Sequence, residues 1–244
     1  MAATAISRKN ADVLREKNPF ISNIDLVYRL VREDIVEHRL KPGQKLNQEQ
    51  IADVLEVSRT PVREALNLLE RDGFLDKGGQ GYSVHEMKIG EYMALLDLRI
   101  AIEELAVKLA CSRIRISEMK KIEENLVASS KFLEEGLKTA WDEDCNIVNP
   151  KKAEQVIYRL GKMDQQFHSI IVGSTHNKFI IQTYEDLQPK IHFFRFTAMD
   201  VNCCMNMVER HKMIYDAITR RDEITASQRM ETHLRLTVSR AMRY

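Results

Sequence analysis

The stretch from Leu46 to Leu75 constrains the fold more than any other part of the chain, and it reads LNQEQIADVLEVSRTPVREALNLLERDGFL. Asn47 is a typical N-cap residue, and Gln50 stands three residues later, where a side chain can return the hydrogen bond of a capping box. The apolar residues that follow recur at helical spacing up to Leu55. The pattern predicts a helix of about two turns.

A second helix is predicted to start near Thr60. Pro61 is tolerated there, because the N–H groups of a first helical turn have no intrahelical partner to lose. Its apolar stripe faces one side, while Arg59, Thr60 and Arg63 lie outside the stripe near the N-terminal end. Asn67 also lies outside the stripe, further along.

The spacing of these two helices is typical of a helix-turn-helix, in which the second helix enters the major groove end-on. Arginine pairs in a two-pronged way with guanine or phosphate, and a threonine hydroxyl can donate to a phosphate. We therefore predict that Arg59, Thr60 and Arg63 contact DNA. The alternative is a helical hairpin whose charged face is simply solvated.

The residues after this pair predict a β-hairpin. Phe74 to Lys77 leads into the glycine-rich turn GGQG, and the chain returns through Tyr82 to Val84. An earlier helix is predicted from Ile24 to about Arg39, and it ends before the turn at Pro42 and Gly43. Three helices followed by a hairpin are the order of a winged helix.

The run VSRTPVREALNLLERDGFL resembles the DNA-binding signature of GntR-type bacterial transcription regulators, and the likeness extends over Leu26 to Val84. The resemblance implies DNA contact by the three recognition-helix residues and by a wing around Gly81. Gln80 stands where the family often has a basic residue before the wing-tip glycine. We include Gln80 and Gly81 among the expected DNA contacts.

Composition places the chain among ordinary globular proteins, with 44% hydrophobic and 30% charged residues. The net charge is only +1, so attraction to nucleic acid must come from a local patch. The four cysteines form no CxxC pair, and no apolar run has membrane length. These features predict a protein of the reduced cytoplasm.

Beyond the hairpin the pattern changes to helices alone. Helices are predicted at 91–113, from Ser117 onward, and at 153–173, 177–198, 205–220 and 222–243, with a loop at 136–152. The expected fold class is mainly α: an N-terminal winged helix-turn-helix and a C-terminal all-α bundle. The predicted boundaries are a flexible arm at 1–21, a DNA-binding domain at 22–86, and an effector-binding and dimerisation domain at 90–244.

A set of chemically distinctive side chains recurs in the predicted bundle. Asp164 and His168 are four residues apart, so they share one helix face. His211 and His233 each lie mid-helix among residues expected to face a core. One aspartate and three histidines can bind a divalent transition metal and leave positions for water or an effector. Satisfied core histidines are the alternative.

The segments DQQFHSIIVGSTHNKFI, ERHKMIYDAITRRD and METHL are similar to the ligand-binding domain of the FCD group, the FadR-like branch of GntR regulators. In metal-binding members, an aspartate and three histidines hold the ion, and they correspond to Asp164, His168, His211 and His233. The resemblance also implies effector contacts by Arg99 and Asn177. Arg99 could equally pair with Glu103.

The sequence therefore predicts a homodimeric regulator, with repression as the expected sign, that binds a palindromic DNA operator. Its C-terminal domain is expected to bind a small organic acid through a carboxylate at a divalent metal, with Zn, Ni or Mn as candidates. One alternative is a metal-dependent enzyme with a helix-turn-helix appendage, although no general base stands beside the ligand motif as in HExxH. The other is a direct metal-ion sensor.

Overall fold

The computed structural model describes residues 6–79, 81–86, 88–142, 146–198 and 201–238, with the backbone alone along 194–198 and 201–205. The chain divides into two compact units, Met1–Lys88 and Ile89–Tyr244. No helix in the described ranges combines the length and the apolar character needed to cross a membrane.

The N-terminal unit is a winged helix, as the sequence predicted. Its three strands are antiparallel and lie in the order β1-β3-β2. The elements are α1 (Arg8–Lys17), α2 (Asn23–Val36), β1 (Lys45–Leu46), α3 (Gln48–Leu55), α4 (Arg59–Arg71), β2 (Leu75–Gly78) and β3 (Gly81–Val84).

Local sequence explains why α3 and α4 form where they do. The side chain of Asn47 accepts hydrogen bonds from the backbone N–H groups of Glu49 and Gln50, and so it caps α3. Helix α3 ends at Leu55, and its C-cap residue Glu56 adopts a left-handed conformation with φ 53°. The stripe of α4 is fully buried, and it fixes which face of this helix points to solvent. Its members are Val62, Ala65, Leu66 and Leu69.

Helix α1 falls within the segment 1–21, which was expected to be a loose arm. It is held by two buried side chains, Ile6 and Ala11, with 3% and 0% exposure. Arg15 also donates a hydrogen bond to the carbonyl of Leu55, at 3.3 Å. Two small anchors within a polar segment give no recognisable periodicity, so the sequence pattern did not predict this helix.

The C-terminal unit is all-helical within the described residues, as predicted. Helix α5 runs along α10, and α6 runs along α7. The helices are α5 (Ile89–Arg113), α6 (Ile116–Ala140), α7 (Pro150–Gly173), α8 (Lys178–Ala198), α9 (Val201–Thr219) and α10 (Glu223–Val238).

The loop predicted at 136–152 is shorter in the structure. Helix α6 continues to Ala140, and Asn149 caps α7 by accepting a hydrogen bond from the N–H of Lys152 at 3.1 Å. Trp141 forms a β-bridge with Ile147 and is only 5% exposed, because it packs into the core between α6, α7 and α9. This burial of an aromatic ring ties the connection down.

Gly136 of α6 packs directly against Val156 of α7. A Cβ atom built at this glycine would lie 2.6 Å from a methyl carbon of Val156, so only glycine fits at this contact. Val156 is itself 1% exposed. The missing side chain therefore sets how near α7 can lie to α6.

Candidate nucleic-acid interface and candidate metal centre

The N-terminal end of α4 presents the three side chains predicted to contact DNA. Arg59, Thr60 and Arg63 are all exposed. Arg59 forms an ion pair with Glu49 of α3, and the two side chains are 70% and 62% exposed. A pair this exposed contributes little to stability, so it can open at small cost when a phosphate competes for the guanidinium.

Asn67 lies outside the apolar stripe of α4, but its side chain contacts the wing. Its side-chain oxygen accepts hydrogen bonds from the hydroxyl of Tyr82 at 2.6 Å and from Nζ of Lys77 at 3.1 Å. Both donors belong to the wing strands, so Asn67 fastens the wing to α4. Gly81 has a positive φ of 107°, which favours glycine, while Gln80 lies outside the described residues.

The structure brings together the four side chains predicted to bind a metal. Asp164 and His168 come from α7, His211 from α9 and His233 from α10, and their exposures are 0%, 0%, 1% and 3%. Their candidate ligand atoms all lie within 4.8 Å of one another.

The three imidazoles converge through their Nε2 atoms. The Nε2 atom of His233 lies 3.1 Å from that of His168 and 3.3 Å from that of His211. The carboxylate oxygens of Asp164 lie 3.6 Å, 3.3 Å and 3.9 Å from the Nε2 atoms of His168, His211 and His233.

These spacings fit a coordination shell. Ligand atoms at about 2.1 Å from a tetrahedral ion are separated by about 3.4 Å, and octahedral neighbours by about 3.0 Å. The nearest pairs in the cluster, at 3.1 and 3.3 Å, fall in that range. The donor set, three imidazole nitrogens and one carboxylate, suits a divalent transition metal.

Glu103 is the functional residue that sequence reasoning missed, since it was considered only as a partner for Arg99. One of its carboxylate oxygens contacts Nδ1 of His168, and the other accepts a hydrogen bond from Nε of Arg99 at 2.6 Å. An Nδ1–H group that donates to Glu103 leaves the Nε2 lone pair of His168 facing the cluster. The available signal was its helical spacing from Arg99, but nothing local linked it to a histidine 65 positions away.

Aromatic packing orients a second histidine of the cluster. The ring of Phe167 stacks on His211 with the centroids 3.8 Å apart and the planes 8° from parallel. Phe167 is fully buried at 0% exposure, so it restricts rotation of this imidazole. The cluster is thus oriented by neighbours as well as by its own contacts.

Burial and neighbouring charges shift the pKa values of the titratable groups at the cluster in different directions. Burial alone would raise the pKa of Glu103, but the charges of Arg99 and His168 outweigh it and lower that pKa to about 2. Burial would lower the pKa of His168, yet the charges of Glu103 and Asp164 raise it. Burial, with the neighbouring histidines, holds the pKa of His233 well below its usual value. The ionised Glu103 therefore carries negative charge beside the histidines.

The two residues expected to bind an effector occupy different places. Arg99 is 5% exposed on α5 and forms an ion pair with Glu103. Its guanidinium also interacts electrostatically with the carboxylate of Asp164. Asn177 is half-buried and acts as a helix cap: its side-chain oxygen accepts a hydrogen bond from the N–H of Phe179 at 3.0 Å. Arg99 thus adjoins the cluster, whereas capping accounts for Asn177 without an effector.

Comparison with known families assigns both units. Residues 23–83 match the family described as bacterial regulatory proteins, gntR family, and residues 94–236 match the FCD domain. The second match alone covers more than half of the chain.

Known proteins of similar sequence and fold are transcription regulators. The chain is 30% identical over 162 residues to the Nta operon transcriptional regulator of Aminobacter aminovorans, covering 66% of this chain and 68% of that protein. It is 24% identical over 210 residues to the transcriptional repressor RspR of Escherichia coli, covering 85% and 84% of the two chains.

A crystal structure of a GntR transcriptional regulator from Rhodococcus sp. RHA1 shares the fold, with a TM-score of 0.71 at 19% identity over 92% of this chain and all of that one. Both matched families and these relatives are regulators rather than enzymes. The winged helix and the helical C-terminal unit agree with these families at the level of fold class. The chain belongs to the GntR family of DNA-binding transcription regulators and carries an FCD domain.

Proposed function

We propose that this regulator is a homodimeric repressor whose affinity for its operator is set by a small organic acid bound at a metal ion. In this proposal residues 22–86 bind DNA and residues 90–244 sense the effector and dimerise. The observation that carries the proposal is the buried convergence of Asp164, His168, His211 and His233.

These four residues would hold the ion. Imidazole nitrogen with one carboxylate oxygen suits zinc, nickel or manganese, and four protein ligands leave positions open in a five- or six-coordinate shell. When bound, the metal supplies a Lewis-acidic centre that can accept an anionic ligand. Glu103 would orient His168 for this role, since it contacts the nitrogen of that ring that faces away from the cluster.

The proposed effector is a small carboxylate. Arg99 supports this class, because it is a buried guanidinium next to the cluster, and a planar carboxylate matches its two-pronged donor geometry. The carboxylate of Glu103 now takes up one of the Arg99 donors. Asn177 remains part of the proposed effector site only through the family resemblance.

DNA contact is proposed for the exposed N-terminal end of α4 and for the wing. Arg59 and Arg63 would reach base edges and phosphates, with Thr60 donating to a phosphate. Gln80 and Gly81 would contribute from the wing. The exposure of the three α4 residues supports this assignment, since the described residues of the unit leave them accessible.

Dimerisation is supported by the apolar surface of α5. This helix is apolar on more than one side, and Leu98 and Leu105 remain 46% and 47% exposed. Ala94 and Ala101 are exposed in the same stripe, at the i, i+4, i+7, i+11 spacing of one helix face. Pairing two such stripes would bury them and present two recognition helices to a palindromic operator.

Linkage provides the mechanism. An effector that prefers one arrangement of the dimer changes operator affinity by the same factor by which DNA changes effector affinity. Couplings of this type amount to about 1–3 kcal/mol, or roughly 5- to 150-fold in affinity. Repression is the proposed sign, in keeping with RspR, which is named a repressor.

The test uses the full-length protein, stripped of metal and reloaded with zinc, nickel or manganese. Fluorescence anisotropy with the DNA upstream of its own gene measures operator affinity with and without candidate carboxylates. We expect a response to a carboxylate only in the metal-loaded protein. A response to metal alone would favour the direct metal sensor instead, and failure to retain any ion in a folded sample would refute the metal centre.

A further inference from the structure

A pocket of about 360 Å³ lies between α9 and α10, and it shares one residue with the candidate metal centre. That residue is His233, which is buried. The volume of the pocket is at the small end of the range in which proteins bind small molecules. The lining residues are Arg210, Met213, Gln228, Arg229, Thr232 and His233.

The lining combines a largely apolar surface with two cationic side chains, and this combination favours an organic anion. Among these six residues two are arginines and none is acidic. Thr232 adds a hydroxyl donor and Gln228 an amide, while Met213 offers an apolar surface for a carbon skeleton. Arg229 also donates a hydrogen bond from Nη1 to the carbonyl of Met213, which holds this guanidinium across the pocket.

Nearby acidic residues on the same helices are engaged with other cations. Glu231 accepts a hydrogen bond from Nε of Arg235 at 2.8 Å, and Glu209 lies 3.8 Å from Nζ of Lys212. Asp216 pairs with Arg220 at 3.8 Å. Hydrogen bonding by Thr225, together with the charge of Arg229, lowers the pKa of Asp222, so one carboxylate interacts with a pocket arginine, although no carboxylate belongs to the pocket lining.

We infer that this pocket binds a small organic anion, whose carboxylate or phosphate group lies between Arg210 and Arg229. Thr232 and Gln228 contribute hydrogen bonds, and the carbon skeleton contacts Met213. The site differs from the effector position at the metal, since five of its six lining residues do not belong to the candidate metal centre. Anion binding itself does not require the metal.

A second consequence rests on the proposed function. His233 forms a wall of the pocket and is also one of the proposed metal ligands. An anion held against this ring restricts its orientation, so pocket occupancy and metal affinity become linked.

The experiment is calorimetric titration of the full-length protein, after removal of metal, with succinate as a carboxylate probe and glycerol 3-phosphate as a phosphate probe. We expect at least one probe to bind with a Kd of about 1 mM or tighter. The double variant Arg210→Gln/Arg229→Gln should bind about tenfold or more weakly, because charge-assisted hydrogen bonds are lost. Thr232→Val should cause a smaller loss while both arginines remain.

The matched control is Arg220→Gln/Arg235→Gln, which removes two exposed arginines from the same region but outside the pocket lining. Binding that is lost in the pocket variant and retained in the control supports the site. Equal binding in both double variants, or no binding of either probe to the wild type, overturns it.

Repeating the titration on metal-loaded protein separates the two proposals. A protein that binds the probe but retains no metal keeps the pocket and refutes the metal-dependent function. A protein that binds metal but neither probe refutes the pocket and leaves the metal-dependent function standing. Probe binding that leaves metal affinity unchanged refutes the linkage alone.

Discussion

The two units of the chain present their chemistry in opposite ways. The three α4 side chains proposed to contact DNA lie within five consecutive positions and are all exposed. The metal-binding candidates lie on three helices between positions 164 and 233, and none is more than 3% exposed.

This difference indicates how each kind of site must be tested. Replacing an exposed arginine changes the free energy of unfolding little, so the substitution should affect DNA binding alone. A buried imidazole or carboxylate costs free energy unless it has partners, so the cluster must be satisfied either by its neighbours or by an ion. Substitutions in the two units should therefore differ in what they disturb as well as by how much.

The largest effect is expected from His211→Ala combined with His233→Ala. Two ligands contributed by separate helices are lost, so metal content should fall from about one ion per chain to none. Elemental analysis of the purified protein measures this. His176→Ala, at an exposed histidine outside the cluster, should leave the content unchanged. Equal metal content in both proteins would return the cluster to ordinary core packing.

The second prediction concerns Arg63→Ala, which should weaken operator binding by about 5- to 150-fold, the range expected for one good two-pronged contact. The matched control is Arg71→Ala, at the opposite end of the same helix, where the side chain is 73% exposed. An operator titration should separate the two variants while their unfolding curves coincide. Identical affinities would remove Arg63 from the reading surface.

Much of the N-terminal unit could be predicted from sequence because its signals are local. The N-cap at Asn47, the apolar stripe of α4 and the glycine turn each occupy a few neighbouring positions. The same reasoning failed for α1, whose two anchors give no period, and for Asn67, whose bonds to the wing come from residues 10 and 15 positions away. Contacts between distant elements leave no pattern within one stretch of sequence, so sequence patterns did not predict them.

The C-terminal site was predictable in its membership but not in its surroundings. Four residues of metal-binding type stood out on predicted helices, and the structure brings them together. The position of Glu103 behind His168 depends on how α5 packs beside α7, which no periodicity specifies. The same is true of the pocket between α9 and α10.

The third prediction concerns Glu103→Gln in the buried site. The amide retains the shape but loses the charge beside His168, so metal affinity should fall by about 10- to 100-fold. A competition titration with a chromogenic chelator measures the affinity. Glu104→Gln is the control, because this neighbour pairs with Lys108 at 3.9 Å instead of with the cluster. Equal losses in both variants would mean that Glu103 has only a general structural role.

The smallest effect concerns a half-buried pair in the N-terminal unit. Arg39 bonds through Nε to Asp34, whose side chain is 3% exposed. Arg39→Gln should reduce the free energy of unfolding by about 1 kcal/mol at neutral pH, because the charge-assisted bond is lost while partial exposure limits the cost. Arg71→Gln, at an exposed pair with Asp72, should cost less.

The pH dependence of that loss has a definite sign. Burial raises the pKa of Asp34, and Arg39 opposes the increase, so the pKa should rise further without the arginine. The folded variant then binds more protons than the unfolded chain above the ordinary pKa of an aspartate, and its stability falls as pH rises through the raised pKa. Urea unfolding should therefore show the deficit shrinking as the pH is lowered toward 4, the region where aspartates titrate. A deficit that is constant with pH would contradict the assignment.

Gly136 makes the position of α7 sensitive to substitution at a residue outside the cluster. Helix α7 carries both Asp164 and His168, and its separation from α6 is set where the glycine meets Val156. Adding a single methyl group there would push α7 outward and move half of the cluster relative to His211 and His233. We therefore expect a substitution at Gly136 to change the spacing of the four proposed metal ligands without contacting any of them.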